Sequence, residues 1–221
     1  MTEQEEQKVI LLCESKPYGS TSGRPRELVY GVAVNDAPFV ISAFVNGRYQ
    51  KHPAYSQWKS MVARCYSEKE KAKKVTYEEC TLDPEWLSFM NFYGFWKNKY
   101  KYLYQVDKDI LFMNNKLYSP TKCTMVPCWV NTIIGEKNKE SNLPIGVVWN
   151  KNRGKFIAQI TTGRKHKGIG YYDDPVLANH AWFKEKIKYL NKMKSDLDDI
   201  DHRLFHSLFY KLECLRVKHD N

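Results

Sequence analysis

The sequence lacks a basic leader, a long apolar run and a dense set of cysteines. Its 221 residues include six cysteines, which form no Cys-x-x-Cys pair. The longest apolar run near the start covers residues 9–13, behind the acidic opening MTEQEEQ. A signal peptide needs a basic start and a membrane span needs about 20 apolar residues. These absences predict a soluble, intracellular protein with free thiols, while a zinc site built from Cys65, Cys80, Cys123 and Cys128 remains an alternative.

Charge and composition are more informative than these absences. Apolar residues make up 43% of the chain and aromatic residues 14%, which is enough for a core and excludes a disordered chain. The formal net charge is +10, and residues 143–195 hold eleven Lys or Arg against three acidic residues. Clustered positive charge is typical of a nucleic-acid surface, because each neutralised phosphate releases a counterion. A solvated basic face is the alternative interpretation.

In the first half, residues 1–28 are polar and interrupted by proline and glycine, which predicts a flexible arm. Residues 29–49 alternate and contain Asn46-Gly47, which predicts a small antiparallel meander. An amphipathic helix is expected over 53–66, followed by a charged loop over 67–74. The next helix is expected to begin at Asp83-Pro84 and to bury an aromatic stripe: Trp86, Phe89, Met90, Tyr93 and Trp96.

The second half predicts a strand–turn–strand–helix unit, a polar linker over 135–142 with a domain boundary near 140, and three strands followed by two helices. The unit comprises strands at 104–111 and 122–126, with a turn at Asn114-Asn115 and a helix over 128–134. The later strands are expected at 145–149, 154–162 and 168–172. A helix should follow Asp174-Pro175, and another, over about 196–216, carries a leucine-rich stripe that predicts packing or a dimer contact.

The strand–turn–strand–helix unit also carries the candidate chemistry. Asp107 lies on the expected first strand, Asn115 in the turn and Asn131 on the helix, so they offer one carboxylate and two amides to a hard cation. Asp109 is expected on the same strand face as Asp107 and is a candidate second ligand or weak base. Lys108 is a poor general base at neutral pH. No histidine occurs from 53 to 165, so the two aspartates could instead simply pair with lysines in a scaffold.

These segments resemble a known family. YSQWKSMVARCYS (55–67), YEECTLDPEWLSFMNF (77–92), VDKDILFMNNKLYSPTKCTMVP (106–127) and the closing VN (130–131) are similar to phage HNH homing-endonuclease-like proteins. PIGVVWNKNRGKFIAQI and HKGIGYYDDPVLANHAWFKEK resemble the DNA-binding domain of plant ethylene-response factors (the APETALA-like type), which phage nucleases also carry. The two resemblances together cover residues 29 to 212.

The resemblance implies an α+β fold in which an HNH-like (ββα-metal) unit is flanked by helices and N-terminal β-hairpins. A three-stranded antiparallel sheet plus helix for DNA binding follows, and then a C-terminal helix. The domains would be a flexible arm at 1–28, a nuclease-type domain at 29–140 and a DNA-binding domain at 141–221. The implied setting is the cytoplasm of a phage-infected bacterial cell.

The resemblance also assigns roles. Asp107, Lys108 and Asn115 match catalytic positions, with Lys108 where the family has its general-base histidine. Asp107, Asp109 and Asn131 would hold Mg²⁺ or Mn²⁺. On the expected sheet, base and phosphate contacts would come from one set of residues: Trp149, Arg153, Lys155, Gln159, Arg164, Lys165 and Lys167. His166 would belong to the same face, and a metal at His202 and His206 is disfavoured for want of further ligands.

Three functional hypotheses follow. The first is a site-directed endonuclease that nicks or cuts double-stranded DNA with Mg²⁺. The second is a nuclease-inactive descendant that acts as a repressor or competitor at its target site. The third is an RNA-binding protein that uses the same basic sheet. Double-stranded DNA is the expected partner, no membrane is expected, and the last helix makes a homodimer an additional expectation.

Overall fold

The computed structural model describes residues 1–19, 26–73, 77–135, 142–162 and 165–220, and only the backbone of Lys165 and of residues 217–220. The described chain is mixed α+β, with several small sheets among helices. It divides into two compact units, residues 1–125 and 126–221. The division falls earlier than the boundary near 140 that composition predicts. A polar segment shows only where the chain is hydrophilic, whereas the division between compact units depends on which residues pack together.

The first unit opens with a helix, α1 (Glu3–Glu14), so the prediction of a flexible arm over 1–28 is wrong for this segment. Thr2 and Glu5 form a capping box at its start, and Val9 and Cys13 are completely buried. The helical spacing of the buried residues is hard to recognise in the sequence, because most of the neighbouring residues are charged. One of these charged residues, Glu6, is itself buried and accepts a hydrogen bond from the Tyr100 hydroxyl. Residues 20–25 of the predicted arm lie outside the described residues.

A hairpin follows, formed by β1 (Ser42–Val45) and β2 (Arg48–Lys51). Its turn residues Asn46 and Gly47 both have positive φ, as a two-residue hairpin turn of this kind requires, and Asn-Gly accommodates this at little cost. The hairpin is therefore confirmed. The rest of the expected meander is absent, since the described residues before Ser42 form only isolated bridges and no named strand.

Helix α2 (Pro53–Tyr66) confirms the expected bounds, and α3 (Glu68–Lys71) adds one turn within the expected charged loop. The aromatic helix is divided. Asp83 caps a short 3₁₀ turn, Pro84–Leu87, and Ser88 then caps α4 (Phe89–Lys99). The aromatic stripe forms the core of the first unit, as expected, with Trp86 and Phe89 fully buried.

Small sheets complete this unit. β3 (Thr81–Leu82) pairs in parallel with β5 (Leu117–Tyr118), a pairing that the sequence does not predict. β4 (Tyr104–Asp107) and β6 (Thr124–Pro127) form another two-stranded sheet, and the division between the units falls inside β6. α5 (Cys128–Asn131) follows β6 in the second unit and is a single turn, shorter than the expected helix over 128–134.

The second unit contains an antiparallel sheet in the order β7–β8–β9, made of β7 (Val147–Asn150), β8 (Lys155–Thr162) and β9 (Lys165–Tyr172). Helix α6 (Pro175–Lys192), capped by Asp174, packs on the sheet. The expected three strands and following helix are therefore confirmed. A bulge between Ala158 and Gln159 shifts the β8–β9 register by one residue.

The last expected helix is broken into α7 (Lys194–Asp198) and α8 (Leu204–Asp220). Between them, buried Asp201 binds Arg203 through two short contacts at 2.6 and 2.8 Å. The leucine stripe lies in the core of this unit, with Leu197, Leu204, Leu208 and Leu212 each at most 2% exposed. Since the stripe is used in internal packing, it is not a free dimer face.

Candidate functional site

The candidate nuclease loop begins where Asp107 ends strand β4. Its Oδ1 accepts the backbone N–H of Asp109 at 3.0 Å and that of Ile110 at 2.7 Å. An aspartate that bonds the following amides offers the chain an alternative to the strand ladder. The strand therefore stops at Asp107 rather than running to residue 111, and the expectation that Asp107 and Asp109 share one strand face is wrong.

Lys108 is buried in this loop, with 8% of its surface exposed. Its ammonium donates to Asp109 Oδ2 at 2.8 Å and to the backbone carbonyl of Asn115 at 3.1 Å. It thus bridges the two ends of the loop. Lys108, which the resemblance assigned to the general-base position, serves here as a structural cross-link.

Asn115 closes the loop from the other side. Its amide nitrogen donates to the carbonyls of Lys108 and Leu117 at 2.6 and 2.8 Å, and its Oδ1 accepts the N–H of Leu117 at 3.2 Å. Both polar atoms of the side chain are therefore engaged in holding the turn. Asn114, next to it, has a positive φ of 62°, which asparagine tolerates better than most residues.

The proposed metal ligands do not fit a divalent cation well in this arrangement. Asp109 already faces the Lys108 ammonium, which supplies positive charge beside the carboxylates. Burial, and then the neighbouring Asp109, raises the pKa of Asp107 above its ordinary value, so the anion that a hard cation prefers is less favourable there than in water. Asn131, the third expected ligand, is an exposed residue at the end of α5 in the second unit.

Cysteine and histidine provide no alternative metal centre within the described ranges. No group of three His, Cys, Asp or Glu side chains in that part of the chain is arranged to hold a metal ion. None of the six cysteines is in a disulfide, and burial raises the pKa of Cys65 and of Cys123 to about 12, so both are protonated thiols. His202, just before α8, and His206, on α8, are both exposed.

The sheet of the second unit has two distinct faces. Val147, Ala158 and Ile160 lie on the inner face and are at most 6% exposed. The register pairs Asn150 with Lys155, and Ile157 with Tyr171, so these residues lie on the outer face. The outer face is the one from which base and phosphate contacts were expected.

Arg153 and Lys155 are the best-placed basic residues of that face. The Arg153 guanidinium lies over the Tyr171 ring, 4.4 Å from its centroid, and it bonds no acceptor among the described residues. Lys155 is half-exposed and contacts Asp173 at 3.2 Å. Gln159 follows Lys155 on the same side of β8 by alternation and is half-buried.

The remaining expected contacts are distributed differently. Trp149 pairs with Phe156 on the inner face, with ring centroids 4.7 Å apart, yet it stays 47% exposed. Lys167 pairs with Ile160 and is exposed on that same side. His166 is exposed opposite Thr161, to whose hydroxyl it hydrogen-bonds. Arg164 lies outside the described residues, as does the side chain of Lys165.

Lys186 is a basic residue of this segment that sequence reasoning counted with the surface charge, but it is only 2% exposed. It lines a cavity of about 270 Å³ at the edge of β8, together with Gln159 and Thr161. Its ammonium contacts the Thr161 carbonyl at 3.4 Å and lies near the rings of Trp182 and Tyr189. Its spacing, four residues after Trp182 and four before Leu190, puts it on the buried face of α6, and that spacing is visible in the sequence.

Comparison with protein-family models, with curated proteins and with solved structures finds no match to this chain. Within the described parts of the chain, no helix combines the length and apolar character needed to cross a bilayer.

Proposed function

We propose that this protein binds double-stranded DNA through the outer face of the β7–β8–β9 sheet. The observation that carries the proposal is the Arg153 guanidinium, stacked on Tyr171 beside Lys155 and without an acceptor among the described residues. A β-ribbon fits the major groove of B-form DNA. A planar guanidinium held by an aromatic ring is preorganised to bond a guanine edge or a phosphate.

The loop around Lys108 favours a regulator or competitor at the target site over an endonuclease. Lys108, Asp109 and Asn115 satisfy one another's polar atoms within the loop. Such a network maintains a fold without any ligand, and no described histidine lies in the loop to activate water. On this proposal, the strand–loop–strand unit is a retained scaffold.

A second candidate, metal-dependent cleavage, draws on one observation. Asp109 lies close enough to Asp107 to disfavour the charge of Asp107, and paired carboxylates are also the groups that a divalent cation would stabilise. Metal-dependent broken ends in the following experiment would distinguish cleavage from binding alone.

The test is to incubate the purified protein with genomic DNA from its source and its host, in Mg²⁺, Mn²⁺ or EDTA, and to map bound sites and broken ends. The expected result is discrete bound sites without metal-dependent ends. Metal-dependent ends that disappear in Asp107→Ala would instead establish an endonuclease. Equal competition by RNA and duplex DNA would overturn duplex recognition in favour of RNA binding.

Arg153→Ala should weaken duplex binding by about 1–3 kcal/mol and relax sequence preference if the side chain reads a base. Lys184→Ala is the matched control, since Lys184 is exposed on α6 in the same unit. An equal loss on every duplex sequence would assign Arg153 to phosphate alone. No loss relative to the control would remove Arg153 from the interface.

A further inference from the structure

The first unit contains a basic trough along α2. Two cavities of about 420 and 510 Å³ share four lining residues, which makes them parts of one depression: Lys51, Ser56, Ser60 and Arg64. Ser56, Ser60 and Arg64 are spaced at i, i+4 and i+8, so they form a row about 12 Å long on one side of the helix. Hydroxyl and cationic donors in a row are suited to successive phosphates.

The cations of this trough are not neutralised by the protein. Within the described chain, no carboxylate lies within ion-pair distance of Lys51, Lys59 or Arg64. The lining also holds two carboxylates, of which Glu70 pairs with Lys73 and Glu6 accepts a hydrogen bond from the Tyr100 hydroxyl. Because Lys51, Lys59 and Arg64 stand against Glu6 alone, the trough presents a net positive lining to solvent.

Two lining side chains are held in place for recognition. The Arg64 guanidinium donates to the Tyr118 hydroxyl at 3.2 Å and lies 5.3 Å from the centre of the Tyr77 ring. Gln57 donates to the carbonyl of Tyr104 at 2.9 Å, while its buried Oε1 has no hydrogen-bond partner among the described residues.

An exposed aromatic pair adjoins the trough. Phe44 and Tyr49 face each other across the β1–β2 hairpin with ring centroids 5.3 Å apart, and they are 59% and 77% exposed. The register places Lys51 on the same face, and Lys51 also lines both cavities. The opposite face of the hairpin, with Ala43 and Val45, is buried in the core, so core packing does not explain the exposed rings.

We propose that this trough and the Phe44–Tyr49 pair together form a binding site for single-stranded nucleic acid. The cations and serines would contact phosphates, and the rings would stack an unpaired base. Sequence-tolerant sites for single strands combine a positive groove with aromatic platforms in this way. A base inside a duplex has no free face for such stacking, and for that reason the site differs in ligand from the outer face of the β7–β8–β9 sheet.

The proposal is tested by fluorescence anisotropy with the full chain and a labelled single strand of roughly 20 nucleotides, longer than typical sites of about 4–16 nucleotides. DNA and RNA versions of one sequence identify the natural source of the strand, and the matching duplex reports on the sheet. The variant Lys51→Gln/Lys59→Gln should reduce the salt slope by about 1.4, at about 0.7 per phosphate contact on a single strand. Tyr49→Ser should weaken single-strand binding about fivefold or more.

Matched controls are Lys8→Gln/Lys97→Gln, at exposed lysines outside the trough, and Tyr210→Ser, at a tyrosine 64% exposed on α8. Single-strand affinity that is unchanged in the trough variants, or that falls equally in the controls, would overturn the proposal. If the wild-type protein does not bind the duplex, but the trough variants lose single-strand binding, the sheet interface is refuted and this site is supported. If the wild-type protein binds the duplex, but the trough variants bind the single strand as tightly as wild type, this site alone is refuted.

Discussion

Two buried lysines show how neighbouring atoms decide the role of a residue. Lys108 contacts a carboxylate and a carbonyl, whereas Lys186 contacts one carbonyl and two aromatic rings. Burial without a carboxylate penalises the charged form, and it lowers the pKa of Lys186 to about 8. The positive charge of Lys186 therefore opposes folding of the second unit, unlike the charge of an exposed lysine.

The variant Lys186→Met should be more stable than the wild-type protein at pH 7, by on the order of 2 kcal/mol. The unfolded chain keeps this proton up to pH 10.5, whereas the folded chain releases it from about pH 8. The wild-type penalty is thus complete below pH 8 and is relieved as the pH rises towards 10.5. Urea unfolding at several pH values should show the advantage of the variant shrinking over that range.

Lys184→Met provides the comparison, because Lys184 is exposed on the same helix. The advantage of Lys186→Met is measured relative to this variant at each pH. A pH-independent advantage for Lys186→Met would contradict the assignment of the penalty to charge burial.

At the scale of elements, Gly146 decides how β7 meets α6. Its φ is +76°, and a Cβ atom there would lie 2.1–2.4 Å from atoms of the Trp182 ring. The entry to β7 therefore depends on a position without a side chain, where the backbone approaches a buried indole. The same unit contains a second glycine of positive φ, Gly154, and no neighbouring atom of the described residues lies within 4 Å of its Cβ position.

Gly146→Ala should therefore destabilise the second unit more than Gly154→Ala. The left-handed conformation costs an alanine about 1–2 kcal/mol at either position. The clash with Trp182 should add about 1–3 kcal/mol at residue 146 alone. Chemical denaturation of both variants checks the difference, and equal losses would show that the indole moves aside freely.

At the scale of the whole molecule, positive charge is distributed over two surfaces on different units. The outer face of the β7–β8–β9 sheet carries Arg153 and Lys155, and the trough along α2 carries Lys51, Lys59 and Arg64. The net charge of +10 thus results from more than the basic segment after residue 143. Both surfaces are expected to bind nucleic acid in a salt-dependent manner.

Duplex affinity should fall with salt, with a log–log slope of about −2 to −3. Each phosphate neutralised on B-form DNA contributes about −0.9 to the slope, and three cations lie on or beside the outer face of the sheet: Lys151, Arg153 and Lys155. Titration of one duplex at several salt concentrations measures the slope. A flat dependence would show that phosphate contacts do not drive binding.

Much of the secondary structure followed from local patterns. The bounds of α2, the Asn46-Gly47 hairpin and the three strands of the second unit were predicted from spacing and turn residues. These features depend on neighbours a few positions away in the chain. The predicted turn at Asn114-Asn115 is present, but the strand before it was predicted too long, because the hydrogen bonds from Asp107 to the next amides compete with strand pairing.

The sequence by itself determined the aromatic core of the first unit, the antiparallel sheet of the second and the excess of positive charge, since composition and periodicity are properties of the chain. Only the tertiary structure decided which charged side chains face solvent and which residues from distant parts of the sequence line the same surface. It buried Lys108 and Lys186, and it brought Lys51 of the hairpin beside Arg64 of α2. Contact between distant residues depends on how elements pack, whereas local spacing indicates only which residues of one element share a face.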